Sequence, residues 1–410
     1  MQGAKNSALP ILAATVAARG PCVIRRCPAL SDIDATLNIL EHLGCAVKRE
    51  GGAVCVDSSA LTRCDVTDGL MREMRSSIVF LGPLLSALGR AELSAPGGCE
   101  IGERPIDYHL EAMRALGTRV TEEGGKLLCA AGSGLKGARH TLAFPSVGAT
   151  ENLMIAAATA QGETVIANAA REPEIVDLAD FLNACGASIW GAGESCIVIN
   201  GVKRLHGAEH TVIPDRITAA TFLCAAAVTG GEILLRGARP SHMESMLAML
   251  EHTGCALRRT AADEIYLRAE GRLRALPDVR TMPYPGFPTD AQALFMALAA
   301  VADGTSRITE TIFENRFRHI EELVKMGARI RVEGRVAVID GMERLYGAEV
   351  DACDLRAGAA LVVAGLAAEG TTRVGKIWHI DRGCARFEQD LRALGAAVTR
   401  EGDDLAQTAI

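Results

Sequence analysis

Two kinds of apolar segment alternate along the chain. Ala-rich stretches such as residues 219–229 are apolar on every side, and a helix built from one must be buried. Segments such as 177–185 instead carry apolar positions at helical spacing and keep a polar face for water. Runs with period-two alternation, the mark of half-buried strands, separate the two kinds.

The amphipathic helix ends each time in Gly and a small residue, then an alternating strand. The instances are Leu-Gly-Cys-Ala-Val at Gly44, Leu-Gly-Thr-Arg-Val at Gly117 and Cys-Gly-Ala-Ser-Ile at Gly186. They continue with Thr-Gly-Cys-Ala-Leu at Gly254, Met-Gly-Ala-Arg-Ile at Gly327 and Leu-Gly-Ala-Ala-Val at Gly395, spaced 68 to 73 residues apart. A Gly at a helix end is ordinary capping chemistry, so the evidence is the period. A second mark runs in phase: each all-apolar helix closes in a turn at Gly20, Gly89, Gly162, Gly230, Gly304 or Gly370. The predicted unit is strand, buried helix, strand, exposed helix, strand, strand, giving an α/β fold. Six units can close as one ring or as two groups of three. Two globes of about 200 residues meeting across a cleft are favoured, because six apolar helices on one axis would leave a wide centre to fill.

The pattern breaks at the ends. Later buried helices follow strand-like segments such as 138–146 and 278–284, whereas the first has only residues 1–4 before it, and the last unit stops early at Ile410. An opening strand is therefore expected to be missing, with an unpaired sheet edge left behind.

Composition narrows the class. A chain of 410 residues accommodates two sizeable domains, and a net charge of −7 offers no basic surplus for nucleic acid. The thirteen cysteines include no CxxC pair, a pattern of free thiols in a reducing cytoplasm and not of disulfides or a metal site. The amino terminus lacks a basic-then-apolar signal layout, and no apolar run reaches the roughly 20 residues of a membrane span.

Chemistry is expected where the buried helices begin. Those positions are unusually polar: Lys5-Asn6, Arg75-Ser76-Ser77, Ser146-Val147-Gly148, Asp215-Arg216, Thr289-Asp290 and Asp354-Leu355-Arg356. Helix N-termini pointing one way present free N–H groups and a positive dipole end, a ready anion site. Asp215, Thr289 and Asp354 are equally readable as plain helix caps. Capping does not explain Lys5, Arg75 or Arg356, since a cation is disfavoured there unless an anion is also present. A second signal is the segment 95–105, in which three glycines surround Cys99 with Arg104 nearby. That is the setting of an exposed, reactive thiol, and most other cysteines read as small core residues. Two nominal motifs carry nothing. The P-loop-like 370–376 is followed by Ile377 where a magnesium-binding Ser or Thr is needed, and Gly132, Gly134 and Gly137 lead into a strand instead of a helix.

Several segments together resemble a known family. Gly-Ala-Lys-Asn at 3–6, Pro-Gly-Gly-Cys at 96–99, Ala-Arg-Glu-Pro-Glu-Ile-Val-Asp at 170–177, Phe-Pro-Thr-Asp at 287–290, Phe-Glu-Asn-Arg at 313–316 and His-Ile-Asp-Arg-Gly at 379–383 look like the UDP-N-acetylglucosamine 1-carboxyvinyltransferases. The likeness covers essentially the whole chain, in order. It implies a two-domain inside-out α/β barrel of six βαβαββ-type repeats, three per domain. The first domain would span 6–214, and the second would combine 1–5 with 215–410. It also implies cofactor-free transfer of the enolpyruvyl group of phosphoenolpyruvate to UDP-N-acetylglucosamine, the first committed step of peptidoglycan synthesis. No metal, nucleic acid, membrane or oligomer is required for that reaction.

Residue roles follow from the resemblance alone. Lys5 and Asn6 resemble the pair that meets phosphoenolpyruvate, with Arg104 and Arg382 adding charge. Arg75, the run Arg104, Pro105, Ile106, Asp107 and Tyr108, the run Phe144, Pro145, Ser146 and Val147, and Asp290 with Ile312 fall where the family contacts the nucleotide sugar. Arg316, Asp354 and Arg356 complete the candidate contacts. Cys99 takes the place of the acid that protonates C3, and of the thiol that fosfomycin alkylates; Asp290 takes the place of the base near the sugar 3-hydroxyl. Phe144 departs from the pattern, since some members carry Lys there. Two alternatives stay open: an enolpyruvyl transferase for another acceptor such as shikimate 3-phosphate, and an inactive paralogue that binds the nucleotide sugar.

Overall fold

In the computed structural model the described residues are 1–73, 77–94 and 106–401. The chain begins with α1 (Lys5–Ala18), β1 (Pro21–Arg25), α2 (Ser31–His42), β2 (Ala46–Glu50) and β3 (Ala53–Asp57). It continues through β4 (Asp65–Val66), α3 (Asp68–Glu73), α4 (Leu81–Leu88), β5 (Arg90–Ser94), α5 (Asp107–Ala115), β6 (Arg119–Glu123) and β7 (Lys126–Ala130). Next come β8 (Arg139–Thr141), α6 (Val147–Ala157), β9 (Glu163–Ala167), α7 (Pro173–Ala184), β10 (Ile189–Trp190) and β11 (Cys196–Asn200).

Beyond these lie β12 (Glu209–Thr211), α8 (Arg216–Val228), β13 (Glu232–Arg236), α9 (Glu244–His252), β14 (Ala256–Ala261) and β15 (Glu264–Arg268). They are followed by β16 (Val279–Arg280), α10 (Gln292–Val301), β17 (Thr305–Thr309), α11 (Ile320–Lys325), β18 (Arg329–Glu333) and β19 (Val336–Asp340). The last elements are β20 (Leu345–Tyr346), β21 (Glu349–Asp351), α12 (Leu355–Ala367), β22 (Ala368–Glu369), β23 (Arg373–Gly375), α13 (Trp378–Asp381) and α14 (Phe387–Ala393).

The fold is α/β with several small mixed sheets. Four of them run β12-β1-β3-β2, β4-β5-β7-β6, β8-β9-β11-β10 and β16-β17-β19-β18. In each, a short strand lies parallel to a five-residue strand, whose other edge pairs antiparallel with a hairpin. Alternation sets the faces: along β13, Ile233 and Leu235 are buried while Glu232, Leu234 and Arg236 face out. Among the described residues β13 has no parallel partner, and the Met1 amino group donates to the Arg236 carbonyl at its end (2.9 Å).

Apolar side chains gather into two cores, one drawn from positions between Ala4 and Ile213, the other from Ile217 to Leu391. In the first core α1, α4 and α6 pack on one another, and in the second α8, α10 and α12 do the same. These helices have the all-round apolar surface that the sequence required; α1 buries every residue except Asn6. The amino-terminal residues run beside the middle of the chain. Gly3 bridges Pro214, the Ala4 amide donates to the Ile213 carbonyl (2.8 Å), and the Asp215 amide donates to the Gln2 carbonyl (3.0 Å).

All six period-marking glycines, from Gly44 (φ 98°) to Gly395 (φ 98°), take the left-handed conformation that only glycine adopts without strain. Of the second set, Gly20 is the exception, and Arg19 adopts positive φ in its place (52°).

Two expectations need correction. The amphipathic helix expected over 177–185 begins at Pro173; Asp180, Asn183 and Ala184 face water as expected, but Glu174 and Asp177 are buried. The helix packs against α1, where Asp177 accepts hydrogen bonds from Ser7, His210 and the Ile213 amide. Polarity in a sequence does not distinguish a wet side chain from a buried one with partners. The strand-like segments 138–146 and 278–284 form strands only over Arg139–Thr141 and Val279–Arg280; the Leu142 and Thr281 amides each add one bond, to the carbonyls of Ala167 (3.0 Å) and Thr309 (3.0 Å), and beyond them Pro145 and Pro283 cannot donate to a ladder. Among the described residues no helix is long and apolar enough to cross a membrane.

Candidate functional site

The site is assembled where the buried helices start. Lys5 opens α1 with its ammonium buried, and that ammonium donates to Asp32 Oδ2 (2.8 Å). Arg382, just after α13, donates through Nε to the other oxygen of Asp32 (2.9 Å). Asp32 lies in the first turn of α2 and is buried. Burial favours the neutral acid, but Lys5 and Arg382 outweigh it and hold this carboxyl below its ordinary value. Burial pulls Lys5 down, Asp32 pulls it partly back, and the result is an amine below the usual lysine range.

A second charge cluster adjoins the first. Asp290 sits in the tight turn before α10; its Oδ1 accepts from Arg316 (2.9 Å) and its Oδ2 from Arg356 (2.9 Å). Arg316 also lies 3.9 Å from Asp354, which caps α12 by accepting from the amides of Arg356 (2.7 Å) and Ala357 (2.9 Å). Burial opposes ionisation of Asp290, yet Arg356, Arg316 and Lys5 hold its carboxyl well below the usual carboxylate range. The same Asp290, with Asp215, keeps the buried Arg356 firmly charged. Asp290 is thus an ionised acceptor at any working pH, able to orient a hydroxyl but a weak holder of its proton.

The helix-start residues therefore divide. Asp215 and Asp354 are caps, as is Ser146 on α6. Thr289 is not: its hydroxyl donates to Glu310 (2.9 Å). The cations that capping could not explain, Lys5 and Arg356, are matched by internal carboxylates, Asp32 and Asp290. Asn6 is exposed beside Lys5. Ile312 is tied to the Asp290 turn through Glu310, which accepts from the Ile312 amide (2.8 Å) and the Thr289 hydroxyl.

Ile106, Asp107 and Tyr108 form the entrance of α5, and Phe144, Pro145, Ser146 and Val147 that of α6. Phe144 is exposed, as a residue offered to a ligand must be. The two entrances meet through His109, whose ring lies so close to Gly148 that an added Cβ would stand 3.0 Å from its Cε1. The Asn152 amide donates to His109 Nδ1 (2.8 Å) and to the Ile78 carbonyl (2.9 Å), and its oxygen accepts from the Gly82 amide (2.6 Å). An amide NH₂ can only donate, so Nδ1 accepts and the ring proton sits on Nε2. Burial alone lowers His109 to about 4, which keeps it neutral. Arg75, Cys99, Arg104 and Pro105 lie outside the described residues.

Sequence reasoning missed Asp32, His109 and Asn152. Asp32 reads as a generic acid in a helix first turn, and its partners are remote in sequence. The Asp290–Arg316–Arg356 cluster was legible only in pieces, Asp290 and Arg356 as helix-start residues and Arg316 through the family resemblance.

Comparison with known proteins fits this arrangement. The EPSP synthase (3-phosphoshikimate 1-carboxyvinyltransferase) family profile matches residues 1–391. UDP-N-acetylglucosamine 1-carboxyvinyltransferase 2 of Caldanaerobacter subterraneus subsp. tengcongensis is 51% identical over 400 residues, covering 98% of this chain and 95% of that protein. The protein of the same name from Carboxydothermus hydrogenoformans is 50% identical over 404 residues, covering 98% and 96%. Among solved structures, the enolpyruvyl transferase NikO from Streptomyces tendae superposes with a TM-score of 0.87 at 26% identity, over 97% of this chain and 94% of that one. EPSP synthase from Acinetobacter baumannii shares the fold, with a TM-score of 0.74 at 20% identity over 98% and 96%. The chain belongs to the EPSP synthase family, among its UDP-N-acetylglucosamine 1-carboxyvinyltransferases.

Proposed function

We propose that this chain transfers the enolpyruvyl group of phosphoenolpyruvate to the 3-hydroxyl of UDP-N-acetylglucosamine and releases phosphate, the committing step of peptidoglycan synthesis. About half of all residues match carboxyvinyltransferases of that name over 98% of the chain, and this observation carries the proposal. The charge distribution supports it. The chain is acidic as a whole, yet Lys5 and Arg356 at buried helix starts are joined by Arg316 and by Arg382 after α13, four cations sharing the two carboxylates Asp32 and Asp290, as a substrate with a phosphate and a carboxylate needs.

In this reading Lys5 and Arg382, with Asn6 and Arg104, receive phosphoenolpyruvate. Arg75, Pro105 to Tyr108 and Phe144 to Val147 receive the nucleotide. Cys99 gives a proton to C3, C2 gains cationic character, and the sugar oxygen attacks there while its proton passes to Asp290 and on to solvent. Phosphate then leaves by C–O cleavage as one C3 proton is lost, to the Cys99 thiolate or to water, which restores the C2–C3 double bond; each acid–base group contributes roughly 10²–10⁴-fold. The element order and the two helix trios support two inside-out barrels of three repeats each, 6–214 and 1–5 with 215–410. The free-thiol composition suits the cytoplasm.

The test is phosphate release with both substrates. Release that requires UDP-N-acetylglucosamine is the expected result. Turnover on shikimate 3-phosphate without turnover on the nucleotide sugar would overturn the acceptor, and nucleotide-sugar binding without phosphate release would mark an inactive paralogue.

A further inference from the structure

The two cations assigned to phosphoenolpyruvate are held by one carboxylate that no part of the proposed reaction uses. Asp32 Oδ2 takes the Lys5 ammonium at 2.8 Å, and Oδ1 takes Arg382 Nε at 2.9 Å. The three residues come from separate places: the start of α1, the first turn of α2 and the loop after α13. α2 packs on the first core with α1, whereas α13 packs on α12 in the second. Asp32 makes no cap to its own helix, because α2 begins without a side-chain cap. A buried ion pair is weak evidence for stability, since desolvating the charges offsets most of their attraction. Something other than stability is needed to explain a buried carboxylate at this point.

We propose that Asp32 is a positioning residue for phosphoenolpyruvate: one carboxylate fixes the distance between Lys5 and Arg382, so that two cations from different elements meet the substrate's anionic groups as a preset pair. The inference rests on the proposed transfer reading for the identity of the anion. Arg382 is engaged through Nε, with Nη2 at 3.5 Å, and among the described residues Nη1 has no hydrogen-bond partner. Lys5 has three protons and one described side-chain partner.

Asp32 also answers an electrostatic problem. Facing Lys5 are the cations Arg356 and Arg382 on one side of the balance; Asp32, Asp290 and Asp215, which accepts the Lys5 amide (3.4 Å), are on the other, with the Cys384 thiol nearby. Burial and the two arginines push Lys5 towards the neutral amine, and Asp32 is the foremost influence opposing them. Without that carboxylate Lys5 loses its proton as pH rises, and the capture of an anion fails first in alkaline solution.

The experiment measures KM for each substrate from about pH 6 to about pH 9 in wild type, Asp32→Asn and Asp32→Glu, beside the rise in melting temperature that phosphoenolpyruvate produces. Asp32→Asn should raise KM for phosphoenolpyruvate about tenfold or more at pH 8, recover part of the loss at pH 6, and leave KM for the nucleotide sugar within about twofold. Asp32→Glu keeps the charge at a shifted distance, so KM should rise about threefold with the wild-type pH profile. Unchanged phosphoenolpyruvate KM in both variants, or an equal rise for both substrates at all pH values, overturns the proposal. If Asp32→Asn does not fold, Asp32→Glu alone decides by the same criteria. A wild type that releases no phosphate but melts higher with phosphoenolpyruvate sinks the transfer reading only; a melting shift with the same midpoint in wild type and variant sinks the Asp32 inference only.

Discussion

At the residue scale, an identical residue type does different work according to what surrounds it. Asp215 and Asp354 satisfy helix amides, whereas Asp290 divides its two oxygens between Arg316 and Arg356. Because those guanidiniums keep Asp290 ionised well below neutrality, it should not produce the acid limb of a pH–rate profile. Asp290→Asn is expected to lower kcat by about 10²-fold or more without moving that limb, checked by kcat against pH. A displaced limb would show that Asp290 titrates in the working range. The cysteines pose the reverse case. Burial pushes Cys45, Cys129 and Cys353 up to about 11 and Cys27 and Cys384 up to about 12, so these thiols are protonated and unreactive at neutral pH. Cys196 is exposed and is the meaningful control. Peptide mass mapping after fosfomycin treatment should find the adduct on Cys99 and on neither Cys196 nor Cys55. Cys99→Asp should retain turnover and lose labelling, because a carboxyl group also donates a proton. Label on Cys196 in place of Cys99 would remove the loop thiol from the mechanism.

At the element scale, the legible features were those set by neighbours a few residues away. All-apolar Ala-rich runs can only be buried helices, and α1, α6, α8, α10 and α12 are. The periodic glycines end their helices in a conformation that a side chain disfavours, which is why the period survives in the sequence. Gly117 isolates that effect: its φ is 86°, and an added Cβ would meet nothing within 4 Å. Gly117→Ala should therefore destabilise by about 1–2 kcal/mol through backbone strain alone, read from a denaturant midpoint, while Gly69→Ala, also in open space but without positive φ, should not. Equal midpoints for Gly117→Ala and wild type would refute the strain account. Remote pairing was not legible. β1 pairs with β12, whose sequence is separated from it by most of the first core, and nothing local in either strand encodes the partner. The solvent face expected for α7 is present at Asp180, Asn183 and Ala184, but it does not include Asp177, which looks hydrophilic in sequence and is buried among Ser7, His210 and Ile213. The candidate site divided the same way: Lys5, Asp290 and Arg356 stood out by their place on the helices, whereas Asp32 and His109 acquire meaning only from side chains that the fold brings to them.

At the scale of the whole molecule, buried titratable groups set the pH range in which the site exists. His109 is lowered by burial to about 4, and so is the buried His319. An unfolded histidine titrates near 6.5, so between about 6.5 and 4 the unfolded chain binds more protons than the folded one. The histidines' own contribution to stability then rises with pH across that window and falls on acidification through it, by up to about 3 kcal/mol for each of the two, whereas Glu151, whose carboxyl burial holds well above its ordinary value, acts in the opposite sense. Asp32 and Asp290 act in a lower window. Their folded values are depressed, so their contributions are complete above the unfolded carboxylate range, about 4, and are lost only below it. The histidines therefore weaken the fold before either carboxylate is protonated. Relative to wild type, His109→Gln and His319→Gln should each lose less of their denaturant midpoint, or gain more, between pH 6.5 and pH 5, whatever each substitution costs at pH 7. Activity lost in that interval should track the unfolded fraction measured by circular dichroism, instead of a titration in the site. If activity fell while the fold held, another group in the site or the substrate's own phosphate would have to change charge there, and the account of the acid loss through the buried histidines would have to be given up.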